Sequence, residues 1–346
     1  MKILIAASNM VHINNFHLPY IETFKSQGHS VSIMASGVGA DFDIPFKKST
    51  LSVKNLCLAS KIRKIIKQEA FDVIYLHTTL AAFWVRMALV GLKKRPKVVN
   101  TVHGYLFGKD SSWLHNFIYL SCERLLKSQT DNIVVMNKED YQIATKNKLC
   151  RGDVYIIDGM GVDFGKIEKA QPHPKEGNLN IAFVGEISKR KNQLFLVKAL
   201  SNLPDYTLTL VGDGDQRAKI EKYIKKHNLQ NRVKITGFTK NPYGYIKKCH
   251  IYASASKIEG LPFNIMEAMY LEKTVIASDI KGHCDLLDKE HLFPLNDMDK
   301  FVSLIKAVKN GTSKKDVEKY SKEAVLDSNM AIYLSLAQEK TQQTVV

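Results

Sequence analysis

The chain has 346 residues, of which 45% are apolar, so it is long enough for two domains with a hydrophobic core in each. Lys and Arg outnumber Asp and Glu by 50 to 34, and the net charge of +16 favours anionic partners, either nucleic acid or lipid headgroups. The five cysteines are scattered and free of Cys-x-x-Cys spacing, which argues against a disulfide framework and a structural zinc site and fits a reducing cytoplasm.

The chain begins with a strand-like segment rather than an export signal. The apolar run at residues 1–7 is too short for the core of a signal peptide and is followed by polar residues. The most apolar later stretch, residues 80–92, is shorter than a bilayer span and contains Arg86. We therefore expect neither export nor a transmembrane helix.

Short apolar runs, each followed by a polar loop and a helix-length segment, recur along the chain. Because the runs are continuous rather than alternating, they predict strands buried on both faces, as in a parallel sheet covered by helices. The first series comprises residues 3–7, 31–35, 73–76, 98–102 and 133–136, and the second comprises residues 181–184, 208–211, 233–236, 251–253 and 274–277. Each series predicts one doubly wound α/β domain.

The segment between the two series is the predicted linker. Residues 166–178 contain two prolines and many charged side chains, a composition typical of an interdomain connection. Residues 317–338 follow the last strand with apolar residues at helical spacing. We predict an N-terminal domain at 1–165, a linker at 166–178, a second domain at 179–316 and a C-terminal helical segment at 317–346 with a frayed end.

Positive charge is concentrated in residues 47–97, where twelve Lys or Arg stand against two acidic residues. Within this region, residues 61–67 place Ile62, Ile65 and Ile66 between basic side chains, the pattern of an amphipathic helix. The aliphatic side of such a helix meets either the domain core or a membrane interface. The sequence leaves both alternatives open.

Two glutamates, Glu259 and Glu267, form the most informative pair in the chain. A Ser-rich stretch and then Glu-Gly-Leu-Pro precede apolar residues at helical spacing, which predicts a loop containing Glu259 and a helix containing Glu267, with Pro262 near the first turn. The N–H groups at a helix start favour a phosphate, and ionised carboxylates accept hydrogen bonds from sugar hydroxyls. The spacing alone leaves two interpretations open, a nucleotide site and a pair of unrelated surface glutamates.

The residues around this pair resemble the Glu-x7-Glu signature of the retaining glycosyltransferases of family 4, which have the GT-B fold. The likeness continues through Ala268, Met269 and the segment Thr274-Val-Ile-Ala-Ser-Asp-Ile-Lys-Gly282. Other segments are similar to the same family in the same order, namely Thr101-Val-His-Gly104, Gly161-Val-Asp163, Phe183-Val-Gly-Glu-Ile-Ser-Lys-Arg-Lys191, Leu210-Val-Gly-Asp-Gly214 and Ile235-Thr-Gly237. This resemblance covers nearly the whole chain. It implies two Rossmann-like domains that face a cleft, with a C-terminal helix that crosses back to the first domain.

The resemblance also implies roles for the residues of the central segment. Glu267 would hydrogen-bond the ribose of the nucleotide, and Glu259 would contact hydroxyls of the transferred sugar. Gly260 and Leu261 would let backbone amides approach the phosphates, since a side chain at Gly260 would crowd them.

Breaking the bond between the sugar and the diphosphate leaves a doubly charged phosphate on the leaving group. The site therefore needs cations or oriented N–H dipoles where that charge develops. Arg190 and Lys191, after the first strand of the second domain, would supply this charge. The family pattern there reads Gly-Arg and, a few residues later, Lys-Gly, whereas this chain has Gly185-Glu and Lys191-Asn. Lys191 matches the pattern, Arg190 is a substitute, and Glu186 replaces one expected cation. We count Gly185 among the nucleotide-binding candidates.

Three residues of the first domain complete the predicted site. By the same resemblance His103, which follows a buried strand, would reach the donor sugar. Asn14 and Asn15, in the predicted first loop, are candidates for acceptor or phosphate contact.

Asp213 and Asp215 have the Asp-x-Asp spacing that a different glycosyltransferase fold uses for a metal. Here they follow a predicted strand and match the family's Val-Gly-Asp-Gly turn, and no other cluster of His, Cys and carboxylates indicates a catalytic metal. We predict a metal-independent site and no cofactor besides the nucleotide-sugar donor.

Taken with the resemblance, these features predict a cytoplasmic, peripherally membrane-bound enzyme. It would transfer a sugar, with retention, from a UDP-linked donor to a lipid-linked glycan in surface polysaccharide or capsule assembly.

Two alternatives with the same fold remain open. One is a sugar-nucleotide epimerase, and the other is a catalytically inactive scaffold, which Glu186 suggests. A glycan phosphorylase is disfavoured because no segment resembles a pyridoxal-phosphate lysine site. A basic nucleic-acid-binding protein also remains open, although residues 47–97 have few of the aromatics it requires, and we predict no nucleic-acid partner.

Overall fold

The computed structural model describes residues 1–46, 53–173, 179–308 and 317–338, which fold into two compact α/β units. The first unit is Met1–Gly161 together with the segment that starts at Glu323, and the second is Val162–Lys322. Each unit is built around one parallel sheet. None of the described helices combines the length and the apolar character needed to cross a membrane.

The sheet of the first unit has seven described strands in the order β3-β2-β1-β4-β5-β6-β7, and every neighbouring pair is parallel. The strands are β1 Lys2–Ala6, β2 Ser30–Ala35, β3 Phe42–Asp43, β4 Val73–His77, β5 Lys97–Val102, β6 Asn132–Val135 and β7 Val154–Ile156. The central strands β4, β5 and β6 are buried at every position, which explains their continuous apolar runs.

Helices cover this sheet. They are α1 Met10–Phe16, α2 Leu18–Ser26, α3 Val53–Glu69, α4 Thr79–Leu89, α5 Trp113–Leu126 and α6 Lys138–Lys146. In α3, Ile62 and Ile66 are buried in the domain core. The membrane alternative for residues 61–67 was therefore wrong, because the aliphatic side of α3 is already occupied by the core. Residues 47–52 of the basic region lie outside the described residues.

The second unit has six described strands in the order β10-β9-β8-β11-β12-β13, again all parallel. They are β8 Leu179–Val184, β9 Tyr206–Val211, β10 Val233–Ile235, β11 Ile251–Ser254, β12 Thr274–Ser278 and β13 Leu292–Phe293. The helices are α7 Phe164–Lys169, α8 Gln193–Ala199, α9 Arg217–Lys226, α10 Pro242–Lys248, α11 Phe263–Tyr270, α12 His283–Leu286 and α13 Met298–Ala307. The edge strands β3 and β13 were not predicted, because two residues are too few to show an apolar run.

The C-terminal helix, α14 Lys322–Gln338, packs on the first unit, as predicted. The Tyr75 hydroxyl donates to the Tyr333 carbonyl oxygen at 2.6 Å, and Asn329 Nδ2 donates to the Tyr20 hydroxyl at 2.9 Å. The Tyr333 ring makes edge contacts with the rings of Tyr20 and Tyr75. Residues 339–346, for which we predicted fraying, lie outside the described residues.

The start of the predicted linker is a helix rather than an extended connection. In α7, Ile167 is buried and the Phe164 ring stacks on the Tyr270 ring with centroids 4.0 Å apart. The second unit therefore begins at Val162, before the boundary that we placed at 179. The many charged residues of this segment favoured the prediction of a linker. Phe164 and Ile167, which pack α7 on the second unit, were too few to indicate a helix. Residues 174–178 lie outside the described residues.

Candidate active site

Glu259 and Glu267 lie where the sequence places them, in a loop and in the helix that follows it. β11 ends at Ser254 and α11 begins at Phe263, so Glu259 is in the connecting loop and Glu267 is inside α11. The N-cap of α11 is Pro262, which makes no side-chain cap hydrogen bond. The start of α11 thus lacks the side-chain cap that would satisfy its first N–H groups. The Leu261 side chain is buried and anchors the loop just before this start.

Glu259 is held by two cations from a neighbouring loop. Arg190 donates through one terminal nitrogen to Oε2 at 2.9 Å, and Lys191 Nζ donates to Oε1 at 2.6 Å. Burial alone would raise the pKa of Glu259, but the charges of Lys191 and Arg190 outweigh burial and lower that pKa to about 2. Glu259 is therefore ionised at neutral pH, with both oxygens engaged.

The loop that carries these cations is fixed to the Glu259 loop by backbone contacts. β8 and β11 are neighbours in the sheet, so the loops at their carboxyl ends meet. The Lys257 N–H donates to the Arg190 carbonyl oxygen at 2.9 Å, the Arg190 guanidinium donates to the Ile258 carbonyl oxygen at 3.2 Å, and Asn192 Nδ2 donates to the Ala255 carbonyl oxygen at 3.1 Å. These contacts fix the distance between Glu259 and its two cations.

A buried histidine lies behind this ion-paired group. His283 Nδ1 is 2.8 Å from the Ser278 carbonyl oxygen, and the Ser278 hydroxyl donates to the Ser256 carbonyl oxygen at 2.5 Å. Burial lowers the pKa of His283 to about 4, although the negative charge of Glu259 acts in the opposite direction. His283 is therefore neutral and tethers the strand ends around the site. His283 could not be recognised from the sequence, because a single His in a helical segment carries no motif.

Glu267 has a different environment from Glu259. Its side chain is partly exposed, and the Tyr243 hydroxyl from α10 donates to Oε1 at 3.3 Å. Burial raises the pKa of Glu267 to about 7, while the hydrogen bond from Tyr243 acts in the opposite direction. At neutral pH the carboxyl of Glu267 is therefore divided between its protonated and ionised forms.

Glycines allow the loops of this site to approach one another. Gly212 has φ +138°, and a Cβ built there would lie 2.1 Å from the Gly185 carbonyl oxygen. Gly282 has φ +79°, and its Cβ would lie 2.4 Å from the Gly260 carbonyl oxygen. Neither position has room for a side chain. The Gly185 N–H donates to the Val211 carbonyl oxygen at 2.9 Å, so this amide is already paired. The absence of a side chain at Gly185 would still let a nucleotide approach the backbone closely.

Asp213 and Glu186, two other acidic residues named in the sequence, contact nearby parts of the second unit. Asp213 accepts hydrogen bonds from the Gly214 N–H at 2.8 Å and from the Arg217 guanidinium at 2.7 Å, so it stabilises the turn after β9. The Glu186 side chain is exposed on the loop after β8, and its carbonyl oxygen accepts a hydrogen bond from Gln193 Nε2 at 2.6 Å. All three hydrogen bonds join residues that are close in sequence.

Comparison with known proteins identifies the family. The family model described as glycosyl transferase 4-like matches residues 2–137, and the model described as glycosyl transferases group 1 matches residues 165–324. The chain belongs to the GT-B glycosyltransferases. The resemblance read from the sequence is confirmed for family, fold and enzyme class, while the roles of single residues stay predictions.

Relatives of this glycosyltransferase cover most of its length. The UDP-Gal:α-D-GlcNAc-diphosphoundecaprenol α-1,3-galactosyltransferase of Escherichia coli is 25% identical over 87% of this chain and 84% of its own length. The capsular polysaccharide biosynthesis glycosyltransferase CapH of Staphylococcus aureus is 24% identical over 68% of this chain and 67% of its own length. The solved structure of Anabaena HepE in complex with UDP and glucose has a TM-score of 0.71 at 17% identity and covers 97% of this chain and 99% of that one. At this identity the structural likeness shows the fold alone.

In the first unit of the glycosyltransferase, the structure corrects the surroundings of Asn14 and Asn15. Both lie on the exposed side of α1 and not in a loop. The Asn9 side chain accepts a hydrogen bond from the His12 N–H at 2.9 Å and so caps the start of α1. This cap starts a helix at Met10, where we predicted a loop.

His103 belongs to a group of histidines that the sequence did not reveal. It follows β5, and its Nε2 lies 3.1 Å from Nδ1 of His77, the last residue of β4. His12 and His17, which follow β1, lie against the same group, with ring centroids 4.8 Å and 5.7 Å from that of His103. The strand order places β4 between β1 and β5, so the carboxyl ends of three neighbouring strands bring the four rings together. Only the sheet topology connects these residues, which lie far apart in sequence.

Proposed function

We propose that this glycosyltransferase transfers a sugar, with retention of configuration, from a UDP-linked donor to a lipid-linked glycan in bacterial surface polysaccharide biosynthesis. The observation that carries the proposal is the ionised Glu259, held by Lys191 and Arg190 next to the uncapped start of α11. The relatives support the substrate classes, since one is named for UDP-Gal and a diphosphoundecaprenol acceptor and another for capsular polysaccharide.

In the proposed reaction, the acceptor hydroxyl oxygen bonds to the anomeric carbon on the face from which the diphosphate departs. The electrons of the breaking carbon–oxygen bond leave with the diphosphate, and a phosphate oxygen takes the hydroxyl proton. This front-face route needs no carboxylate nucleophile or base. The environment of Glu259 agrees with this route. A carboxyl whose pKa is about 2 and whose two oxygens are both ion-paired is a poor base near neutral pH. Glu259 instead accepts a hydrogen bond from a sugar hydroxyl and holds the cations in place.

The two cations keep donors available for the diphosphate. Arg190 binds both Glu259 and the Ile258 carbonyl oxygen through the same terminal nitrogen, and its side chain is 40% exposed. The rest of its guanidinium fork can meet a phosphate. Lys191 carries three N–H donors, of which the described contacts use one for Glu259.

In this proposal Glu267 binds the ribose of the nucleotide. Calorimetric titration with nucleotides tests this role together with the proposed function. UDP, GDP and ADP are titrated into the wild type, Glu267→Ala and the control Glu290→Gln, whose side chain is 80% exposed. We expect binding of UDP that Glu267→Ala weakens by more than about tenfold, since a hydrogen bond to a charged group is worth roughly 1.5–3 kcal/mol. Tight, salt-sensitive nucleic-acid binding without nucleotide binding would contradict the proposal.

The pH dependence of binding tests the assigned role of Glu267 more closely. Ribose hydroxyls donate to the ionised carboxylate, so binding lowers the raised pKa of about 7 and releases a proton. Affinity should therefore level off above pH 8 and be about tenfold weaker at pH 6. UDP-glucose is the probe, because its diphosphate has no secondary ionisation in this range. Glu267→Gln should abolish the pH dependence, and a pH effect on kcat alone would instead assign Glu267 to proton transfer.

The membrane part of the proposal rests on α5 rather than on the basic helix α3. One side of α5 exposes large apolar side chains, with Trp113 78% and Phe117 63% exposed. Leu114, Ile118 and Leu125 are also exposed on this helix. Exposed apolar residues at this helical spacing are typical of helices that lie in a membrane interface.

Charge and substrate both indicate that a membrane covers this face of α5. Arg124 and Lys127 are exposed at the end of α5, and Lys109 is exposed in the segment before it. These cations and the net charge of +16 favour anionic headgroups. A diphosphoundecaprenol-linked acceptor, as named for the Escherichia coli relative, is itself a membrane lipid. These features support our proposal that the protein binds peripherally to the cytoplasmic face of the membrane.

We expect Trp113→Ser and Phe117→Ser each to weaken binding to vesicles by about tenfold, because each removes an aromatic side chain worth roughly 1.5–3 kcal/mol when buried. Both residues are exposed, so the fold should be retained. Phe238→Ser removes an aromatic residue of the second unit that is 88% exposed and serves as the control. Sedimentation with phosphatidylglycerol-containing and neutral vesicles measures the binding. Equal binding of all three variants would argue against α5 as the membrane face.

A further inference from the structure

We propose that His12, His17 and His103 of the first unit bind a divalent transition-metal ion, Zn²⁺ in particular. One ligand atom from each of the three side chains lies within 4.8 Å of the other two. Tetrahedral Zn²⁺ with bonds of about 2.0–2.1 Å separates its nitrogen ligands by roughly 3.4 Å. Side-chain rotations that move each ring by about an ångström close this gap.

Two unpartnered ring nitrogens indicate a ligand. Nε2 of His12 and Nε2 of His17 are both buried and have no hydrogen-bond partner among the described residues. His17 is only 1% exposed, so water does not readily satisfy its nitrogen. A buried polar atom without a partner costs free energy, and native structures contain few of them. A metal ion shared by the two nitrogens removes both costs.

The surroundings of His103 also suit a metal ligand. The contact between His103 Nε2 and buried His77 Nδ1 fixes the orientation of the His103 ring, as outer-shell partners of metal ligands do.

The donor set selects the metal and the kind of site. Imidazole nitrogens favour Zn²⁺ and similar transition metals, whereas Mg²⁺ and Ca²⁺ require oxygen ligands. Three protein ligands leave a fourth position of tetrahedral Zn²⁺ for water or another ligand. Glu259, Lys191 and Glu267 belong to the second unit, and the sugar transfer proposed for these residues does not require a metal.

Titration of the metal-free full-length protein with Zn²⁺ and with Mg²⁺ tests the proposal. We expect one Zn²⁺ per chain and no binding of Mg²⁺ by calorimetry. His12→Gln should weaken Zn²⁺ binding by more than about 100-fold and His77→Gln by about 10–100-fold, the range for the loss of an outer-shell partner. His227→Gln changes an exposed histidine of the second unit and should leave the affinity unchanged.

Substitution with Co²⁺ identifies the ligands independently of stability. A three-histidine site gives visible d–d absorption without a thiolate charge-transfer band, whereas binding by the exposed Cys57 or Cys284 gives that band. His12 is partly exposed, so His12→Gln should fold even if variants of the buried His17 do not. The proposal is overturned by a thiolate band, by the absence of Zn²⁺ binding, or by equal affinities of His12→Gln and His227→Gln.

Discussion

Replacing Lys191 with Met should lower kcat for sugar transfer by about 10²–10³-fold, the typical effect of removing one preorganised donor from a developing negative charge. The KM for the nucleotide-sugar should change far less. The donor diphosphate gains its additional negative charge only as the sugar leaves, so the ammonium of Lys191 stabilises the transition state more than the bound donor. Steady-state kinetics with saturating acceptor separates the two effects.

Lys191→Met should also change the titration of Glu259. Lys191 is the stronger of the two cations that hold the pKa of Glu259 at about 2, and burial acts in the opposite direction. Without Lys191 the pKa of Glu259 rises, so the residual activity of the variant should fall with acidity at pH values where the wild-type carboxylate stays ionised. A role of Lys191 limited to folding would not produce this shift of the pH profile.

Lys189→Met is the matched control for this experiment. Lys189 is exposed in the same loop and has no ion pair or hydrogen bond among the described residues. Its replacement removes the same charge from the same segment and should leave kcat within about twofold, because an exposed charge is screened by solvent. Comparable activities of the Lys191 and Lys189 variants would rule out Lys191 as a phosphate ligand in the transition state.

The loop and helix around Glu259 and Glu267 could be predicted because local sequence determines them. The Glu-Gly-Leu-Pro segment directly precedes a helix, and turn chemistry and helical spacing alone predict where that helix starts. The partners of these glutamates could not be predicted in the same way. Tyr243 reaches Glu267 from α10, and His283 lies beside the Glu259 loop from α12. Both belong to segments that only the tertiary fold brings to the site.

The two amphipathic helices show a second limit of sequence analysis. Ile62 in α3 and Phe117 in α5 both occupy an apolar stripe at helical spacing, yet Ile62 is buried and Phe117 is 63% exposed. Periodicity reports that a helix has an apolar side, but not what covers it. The packing of α3 against α4 decides the first case. No described residue covers the apolar side of α5 in this way. Nothing in the sequence indicated this exposed side, because the basic run that suggested a membrane contact lies in α3.

Replacing Glu123 with Gln should lower the free energy of unfolding by about 3–5 kcal/mol, because it leaves a buried guanidinium without its counter-charge. The two terminal nitrogens of Arg86 donate to the two carboxylate oxygens of Glu123 at 2.8 and 2.9 Å, and Arg86 Nε donates to the Ala82 carbonyl oxygen at 3.0 Å. Arg86 is 0% exposed and Glu123 is 7% exposed. The pair ties α4 to α5 within the first unit.

A double variant and an exposed pair show whether the loss comes from the unpaired charge. Arg86→Met with Glu123→Leu should recover most of the lost stability, because apolar residues of similar volume commonly replace a buried ion pair without cost. Glu69→Gln breaks the exposed pair with Lys2 and should cost less than about 1 kcal/mol. Trp84 and Trp113 are the only tryptophans of the chain and both lie in the first unit, so tryptophan fluorescence during urea denaturation reports on that unit. A double variant as unstable as Glu123→Gln would contradict the attribution of that loss to the unpaired charge of Arg86.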